Sequence, residues 1–338
     1  MRYRHLGKSN LRVSALCLGT MMFGDQTGRD EAGAIVADAR EQGVNYIDTA
    51  DVYTTGASET MVGELLKGQR DHWVLATKLG NKMSDRVNEG HFSRSWMLRE
   101  VEASLRRLQT DRVDILYLHR DINGMDLEEP LRALDAMLRG GQIRYWGVSN
   151  FRGWRIAEAV RVAGALGMPG PVVCQPYYNL LNRMPEVEIL PACEHYGIGV
   201  TSYSPVARGV LTGKYAPGQP PAEGSRAARG DQRIAETELR EESLRIAQQL
   251  AVHARRKGVA LAHFATAWVL AHRAVSSVIA GPRTLAQWRD YLPALDCAIS
   301  GEDELLVDSL VRPGHPSTPG YTDPAYPLDG RLRVAAAT

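Results

Sequence analysis

The sequence predicts an α/β fold: a (β/α)8 barrel of the TIM type, with an N-terminal β-hairpin and long loops at the C-terminal face of its strands. Three observations carry this. Eight short apolar runs recur along the 338 residues, helical patterns separate them, and most runs end on a residue suited to chemistry. Strand–helix alternation at about 30 residues per unit implies a parallel sheet with helical crossovers. Such a sheet gathers its strand ends on one rim, where barrels of this kind carry their active sites.

Residues 3–6, a Gly7–Lys8–Ser9–Asn10 turn and residues 11–13 read as the hairpin. The first barrel strand is 15–18, closing on Gly19–Thr20, and Asp30 is placed to cap a helix ending near Gly43. The second run, Asn45–Tyr46–Ile47, reaches Asp48; Ser58 can cap a helix whose Met61, Leu65 and Leu66 face the core. The third, 73–77, reaches Lys78, and Leu98, Val101, Leu105 and Leu108 then form a stripe at helical spacing. The fourth, 114–118, reaches His119; Pro130 suits a first helical position and Gly140–Gly141 a helix end. The fifth, 145–148, reaches Ser149–Asn150, before a helix over roughly 154–164. The sixth, 171–174, reaches Gln175, with a helix from about Glu186 that stops before Gly197. The seventh, 199–202, reaches Tyr203–Ser204. A long Gly/Pro-rich loop and two helices then precede the last strand, 277–280; loops of that length are usually functional or disordered. Residues 312–338 are rich in Pro and Gly and are expected to be irregular, at the end of a single domain spanning 1–338.

With 44% hydrophobic residues the chain can bury a large core, and no linker or charge block divides it. A net charge of +1 gives no electrostatic reason to expect nucleic acid or an anionic membrane as partner. The Arg255–Arg256–Lys257 cluster reads as the cationic last turn of a helix. Cys17, Cys174, Cys193 and Cys297 form no CxxC pair and fit free thiols in a reducing compartment better than disulfides or a metal site. The N-terminus lacks a signal-peptide core and no run is long enough to span a bilayer, so a cytoplasmic protein is expected.

Three strand-end residues, Asp48, Lys78 and His119, and Tyr53, one short loop after Asp48, form a chemical set. A phenol with a pKa of about 10 is a reluctant acid at neutral pH, and a nearby ammonium could lower that pKa by roughly 1 to 3 units. An aspartate keeps the lysine charged and aimed, and a histidine can hydrogen-bond a substrate oxygen. Singly, Asp48 could cap a turn, Lys78 be solvated and His119 sit satisfied in a core; joint placement at successive strand ends marks a site. Asp51 reads as a loop residue. One tyrosine acid in a polar pocket suits carbonyl reduction, not a hydrolase, which would need an activated nucleophile or a metal.

Over nearly its whole length the chain resembles the aldo-keto reductase superfamily. The most specific pieces are Asn45–Tyr46–Ile47–Asp48–Thr49–Ala50–Asp51–Val52–Tyr53, Gly147–Val148–Ser149–Asn150–Phe151, Tyr203–Ser204–Pro205 and Ala207–Arg208–Gly209–Val210–Leu211–Thr212–Gly213–Lys214–Tyr215. It looks most like the bacterial reductases related to the β subunits of voltage-gated potassium channels. The resemblance implies Tyr53 as general acid, Asp48 and Lys78 as its tuning pair, and His119 as the group that orients the substrate. It implies that Ser149, Asn150 and Gln175 bond the nicotinamide carboxamide and that Tyr203 stacks on the ring. Thr20, Met21, Gln26, Asp48, Ser204, Pro205, Val206, Lys214 and Arg226 would be further cofactor contacts. Gly281, Arg283 and Gln287 would surround the 2′-phosphate of NADP(H).

No Gly-rich Rossmann fingerprint or Walker loop is present, so a dinucleotide must be held otherwise. Lys214, Arg226 and Arg283 suit an anion-rich ligand. After Gln287 the family pattern runs to an acidic residue and then Asn, where this chain has Asp290 and Tyr291; NAD(H) therefore stays open. Met21, Met22 and Phe23, the stretch 81–92, Tyr177–Tyr178 and residues 321–326 are candidates for the substrate pocket. The reading is an NADP-dependent reductase of aldehydes or ketones. A redox-sensing NAD(P)-binding module and an NAD-dependent alcohol dehydrogenase are the alternatives.

Overall fold

The apolar runs pair side by side as parallel strands in the computed structural model, which describes residues 1–327. In chain order the strands are β1 (Tyr3–His5), β2 (Arg12–Ser14), β3 (Leu16–Gly19), β4 (Tyr46–Asp48), β5 (Val74–Leu79), β6 (Val113–Leu118), β7 (Ile143–Ser149), β8 (Val173–Gln175), β9 (Gly199–Ser202) and β10 (Val275–Ala280). The last eight close into a barrel, each parallel to both neighbours, with β10 returning to β3. The helices are α1 (Arg29–Glu41), α2 (Ala57–Leu65), α3 (Arg94–Arg107), α4 (Glu128–Arg139), α5 (Gly153–Ala165) and α6 (Ile189–Tyr196). They continue with α7 (Gln232–Thr237), α8 (Glu241–Arg256), α9 (Leu261–Ala271), α10 (Leu285–Arg289) and α11 (Gly301–Leu310). This is a (β/α)8 barrel.

Barrel strands buried on both faces read as near-continuous apolar runs, which is why the sequence shows runs and not alternation. One set of side chains fills the barrel interior, among them Cys17, Tyr46, Ala76, Ile115, Tyr117 and Val173. Tyr46 and Tyr117 satisfy each other inside it, hydroxyl to hydroxyl at 2.7 Å. The opposite faces join the helices in a second, larger cluster. The antiparallel β1–β2 hairpin adds Leu6 and Val13, both fully buried, to the interior cluster. Gly7, at φ +60°, makes that approach: a Cβ there would stand 2.4 Å from the Gly197 carbonyl oxygen, to which Lys8 N–H donates at 2.7 Å.

Several expected helix starts are corrected. Asp30 lies inside the first turn of α1, after Gly28 as the N-cap, where its charge still favours the helix dipole. Ser58 is not a cap, because Gly56 in the left-handed region starts α2. Its hydroxyl donates to the Thr20 carbonyl at 2.8 Å and meets the Thr49 hydroxyl at 3.0 Å, so tertiary contact takes it. Pro130 is the third residue of α4, and α6 begins at Ile189, after a 3-10 turn at Met184–Glu186. Three helices, not two, lie between β9 and β10. The cationic turn 255–257 does end α8, and all four cysteines are free.

Residues 312–327 form no helix or strand, and the rest of the expected tail, 328–338, lies outside the described residues. The described part is tied down. Arg233 holds Asp323 through two bonds of 3.0 and 2.7 Å, Arg240 stacks on Tyr321, and Arg152 donates to the Pro327 carbonyl at 3.0 Å. No helix among the described residues is long and apolar enough to cross a membrane.

Candidate active site

The ends of β4, β5 and β6 deliver Asp48, Lys78 and His119 to one rim, and the loop after β4 carries Tyr53 back over them. Lys78 is fully buried and Asp48 nearly so, and the two form an ion pair. The same ammonium donates to the Thr49 carbonyl at 2.7 Å and to the Tyr53 hydroxyl at 3.2 Å. Gln175 donates to the second Asp48 oxygen at 2.9 Å, so the pair is satisfied on both sides, as a buried charge requires. The His119 ring meets the Tyr53 ring edge-on, centroids 6.0 Å apart.

Burial alone would push the Lys78 ammonium down, but Asp48 and the Tyr53 phenol outweigh it and hold its pKa above the usual lysine value. Tyr53 departs from expectation. Burial raises its pKa against the lowering pull of Lys78, and burial wins, because the phenolate loses more hydration than one ammonium returns. The group is a protonated phenol with a hydrogen-bonded cation beside it. His119 is held well below the ordinary histidine value by burial, then by Lys78 and Arg120, so its imidazole is neutral at pH 7. Its Nδ1 is buried with no partner among the described residues.

A second set of residues is wired to the first. Asn150 donates to the His119 carbonyl at 3.1 Å and to the Ser149 hydroxyl at 3.0 Å, and accepts from the Tyr203 hydroxyl at 2.8 Å. Ser149 donates to the Gln175 carbonyl at 2.9 Å. Tyr177 stacks on Tyr203 at 5.4 Å. Asn150, Ser204, Ala207 and Arg208 all adopt positive φ, as do Thr54 and Thr55 just after Tyr53. Left-handed backbone at non-glycine residues costs about 1–3 kcal/mol each and clusters where strand ends are re-aimed.

From this rim a trough runs between the β9 and β10 ends. Met22, Ser204, Pro205, Val206, Lys214, Arg226, Gly281, Arg283 and Gln287 line it together. Arg208, Gly209, Thr212, Ile279, Asp290 and Tyr291 also line it, as does Arg229, which nothing in the sequence singles out. Five cations thus face one carboxylate, Asp290. Arg226 pairs with Asp231 at 2.8 Å, yet burial and neighbouring Arg208 push its pKa down; burial and Arg229 do the same to Arg283. Like charges crowded in this way fit a polyanionic ligand.

Other expected positions fall elsewhere. Phe23 is fully buried in the helix-facing core and cannot wall a pocket. Thr20 is fully buried, its hydroxyl spent on the Asp48 carbonyl and Ser58. Gln26 is exposed and bonds Asp25, and Met21 is exposed; neither lines the trough. Tyr178 is buried against Trp268 and bonds Glu186, away from the rim. Asp51 is fully buried, with one carboxylate oxygen unpartnered among the described residues. Burial, then Glu59 and Glu100, raise its pKa well above the carboxylate range.

A model of the aldo/keto reductase family matches residues 15–312. Among curated proteins, the chain is 39% identical over 303 residues to a rice (Oryza sativa subsp. japonica) protein named probable voltage-gated potassium channel subunit beta, covering 88% of this chain and 92% of that one. A protein of the same name from Arabidopsis thaliana is 37% identical over 303 residues, with the same coverage. An uncharacterized oxidoreductase of Bacillus subtilis (strain 168) is 35% identical over 339 residues, covering 96% of this chain and 99% of that protein.

Proposed function

The chain belongs to the aldo/keto reductase family, and we propose that it is an NADPH-dependent reductase of aldehydes or ketones with Tyr53 as general acid. One observation carries the reading: a protonated phenol bonded to a buried ammonium, with a neutral imidazole against its ring, at the C-terminal rim of a barrel. The bound dinucleotide would supply hydride to the carbonyl carbon. Everything else is work for the chain's own groups. Lys78 and Tyr53 hold a proton at the phenol oxygen, and the ammonium stabilises the phenolate left when that proton moves to the new alkoxide. His119, neutral, offers one N–H to the same oxygen and fixes the substrate's orientation.

Ser149, Asn150 and Gln175 present amide and hydroxyl groups for the carboxamide, and Tyr203 presents its ring. Lys214 and Arg226 would hold the pyrophosphate, with Gly281, Arg283 and Gln287 at the 2′-phosphate end; Gln287 already accepts from Arg283 N–H at 2.9 Å. Crowding of Arg283 with Arg229 supports NADPH over NADH. Small carbonyl compounds or alcohols are the partners this implies.

The two plant relatives named as channel subunits favour a second reading, a nucleotide-bound module that does not turn over. A panel of aldehydes and ketones followed by NADPH and NADH absorbance separates the two. Turnover with NADPH ahead of NADH supports the reductase; a tightly held NADPH that no carbonyl oxidises supports the module.

A further inference from the structure

Arg120 follows His119 directly at the end of β6, and its charge reaches both His119 and Tyr326 of the C-terminal segment. Its Nε is buried with no partner among the described residues. The neighbouring carboxylate pairs with another cation: Asp121 Oδ1 accepts from Arg155 at 2.9 Å and from Ile122 N–H at 2.9 Å. Three other guanidiniums of this rim are engaged. Arg233 holds Asp323, Arg152 holds the Pro327 carbonyl, and Arg208 donates to Thr237 at 3.1 Å while lying over Tyr177. A partly buried cation with no ion pair among the described residues is expensive for the fold and suited to an incoming anion.

We infer that Arg120 is an anion subsite of the substrate pocket, selecting small carbonyl compounds that carry a carboxylate or a phosphate. This rests on the reductase reading. The reacting oxygen would lie at Tyr53 and His119, and a guanidinium close enough to act on the His119 charge would meet an anionic group a few atoms along the same substrate. It is separate from the trough cations at the β9 and β10 ends, which would serve the dinucleotide.

The test compares matched pairs with NADPH: succinic semialdehyde against butanal for a carboxylate, and glycolaldehyde phosphate against glycolaldehyde for a phosphate. The parent protein should favour the charged member of one pair by at least about tenfold in kcat/KM, and that pair identifies the anion. Arg120→Gln should erase the preference through KM, the charged member losing at least about tenfold more kcat/KM than the neutral one, and Arg120→Lys should retain part of it. Equal losses on both members, or no preference in the parent, would overturn the subsite while leaving the reductase intact. Absence of turnover on every aldehyde would instead sink the reductase. Calorimetric titration of the NADP+-saturated protein with succinate and glycolate phosphate then decides the subsite: binding that Arg120→Gln abolishes supports it, and unchanged or absent binding ends it.

Discussion

At Tyr53 two terms of opposite sign meet, and burial outweighs the Lys78 ammonium. His119 is moved the other way, to a neutral imidazole, by burial and two neighbouring cations. Both groups therefore stay uncharged across the neutral range, the form the proposed chemistry needs. Reduction of a neutral aldehyde should show kcat/KM flat from about pH 6 to about pH 9; an inflection near the ordinary histidine value of about 6.5 would contradict the His119 environment. The identities of Asp48, Lys78, His119 and Gln175 were legible because each ends an apolar run. The direction of the Tyr53 shift was not, since it depends on how much water the folded rim excludes. Asp51 is the loop residue expected, but its full burial, within reach of the charges of Glu59 on α2 and Glu100 on α3, had no local signal.

Among the elements, close approach of backbones sets the tightest constraints. A Cβ on Gly63 of α2 would stand 2.5 Å from the Leu108 carbonyl carbon and 2.6 Å from the Arg107 oxygen. Gly63→Ala should cost about 1–3 kcal/mol by overpacking, whereas Gly164→Ala, with open space on α5, should gain about 0.5–1 kcal/mol. Urea unfolding of both variants checks the opposite signs. At α11, Asp303 closes a capping box with Ser300 and accepts from Lys257 and from His253 at 2.6 Å, which hold its pKa well down although burial works the other way. A depressed carboxylate stabilises the fold above its unfolded pKa and loses that contribution as pH falls through the folded value. Asp303→Asn should thus cost about 1–3 kcal/mol at pH 7, a gap that closes only well below pH 4, in unfolding measured across pH. Element order was readable from rhythm; the caps were not. Ser58 has a capping residue's chemistry, but Thr20 and Thr49 claim its hydroxyl.

Across the whole molecule a net charge of +1 conceals a trough of five cations, because balance along the chain says nothing about clustering in space. Arg283→Gln should weaken NADPH binding by about tenfold with little effect on NADH, and NADPH affinity should fall with added salt; fluorescence titration measures both. The barrel was legible because each unit repeats one pattern. The clamp on residues 321–327 was not, since Arg233 and Asp323 lie 90 residues apart with no local signal. What the rim achieves is to bring Asp48, Tyr53, Lys78 and His119 from three strand ends and one loop into a single cluster, the one proposed to donate the proton. Single-turnover reduction by NADPH-saturated Tyr53→Phe tests this most directly. The expected result is NADPH binding within about twofold of the parent and carbonyl reduction slowed by at least about a hundredfold. Reduction at the parent's rate with the cofactor bound would show that the proton comes from elsewhere.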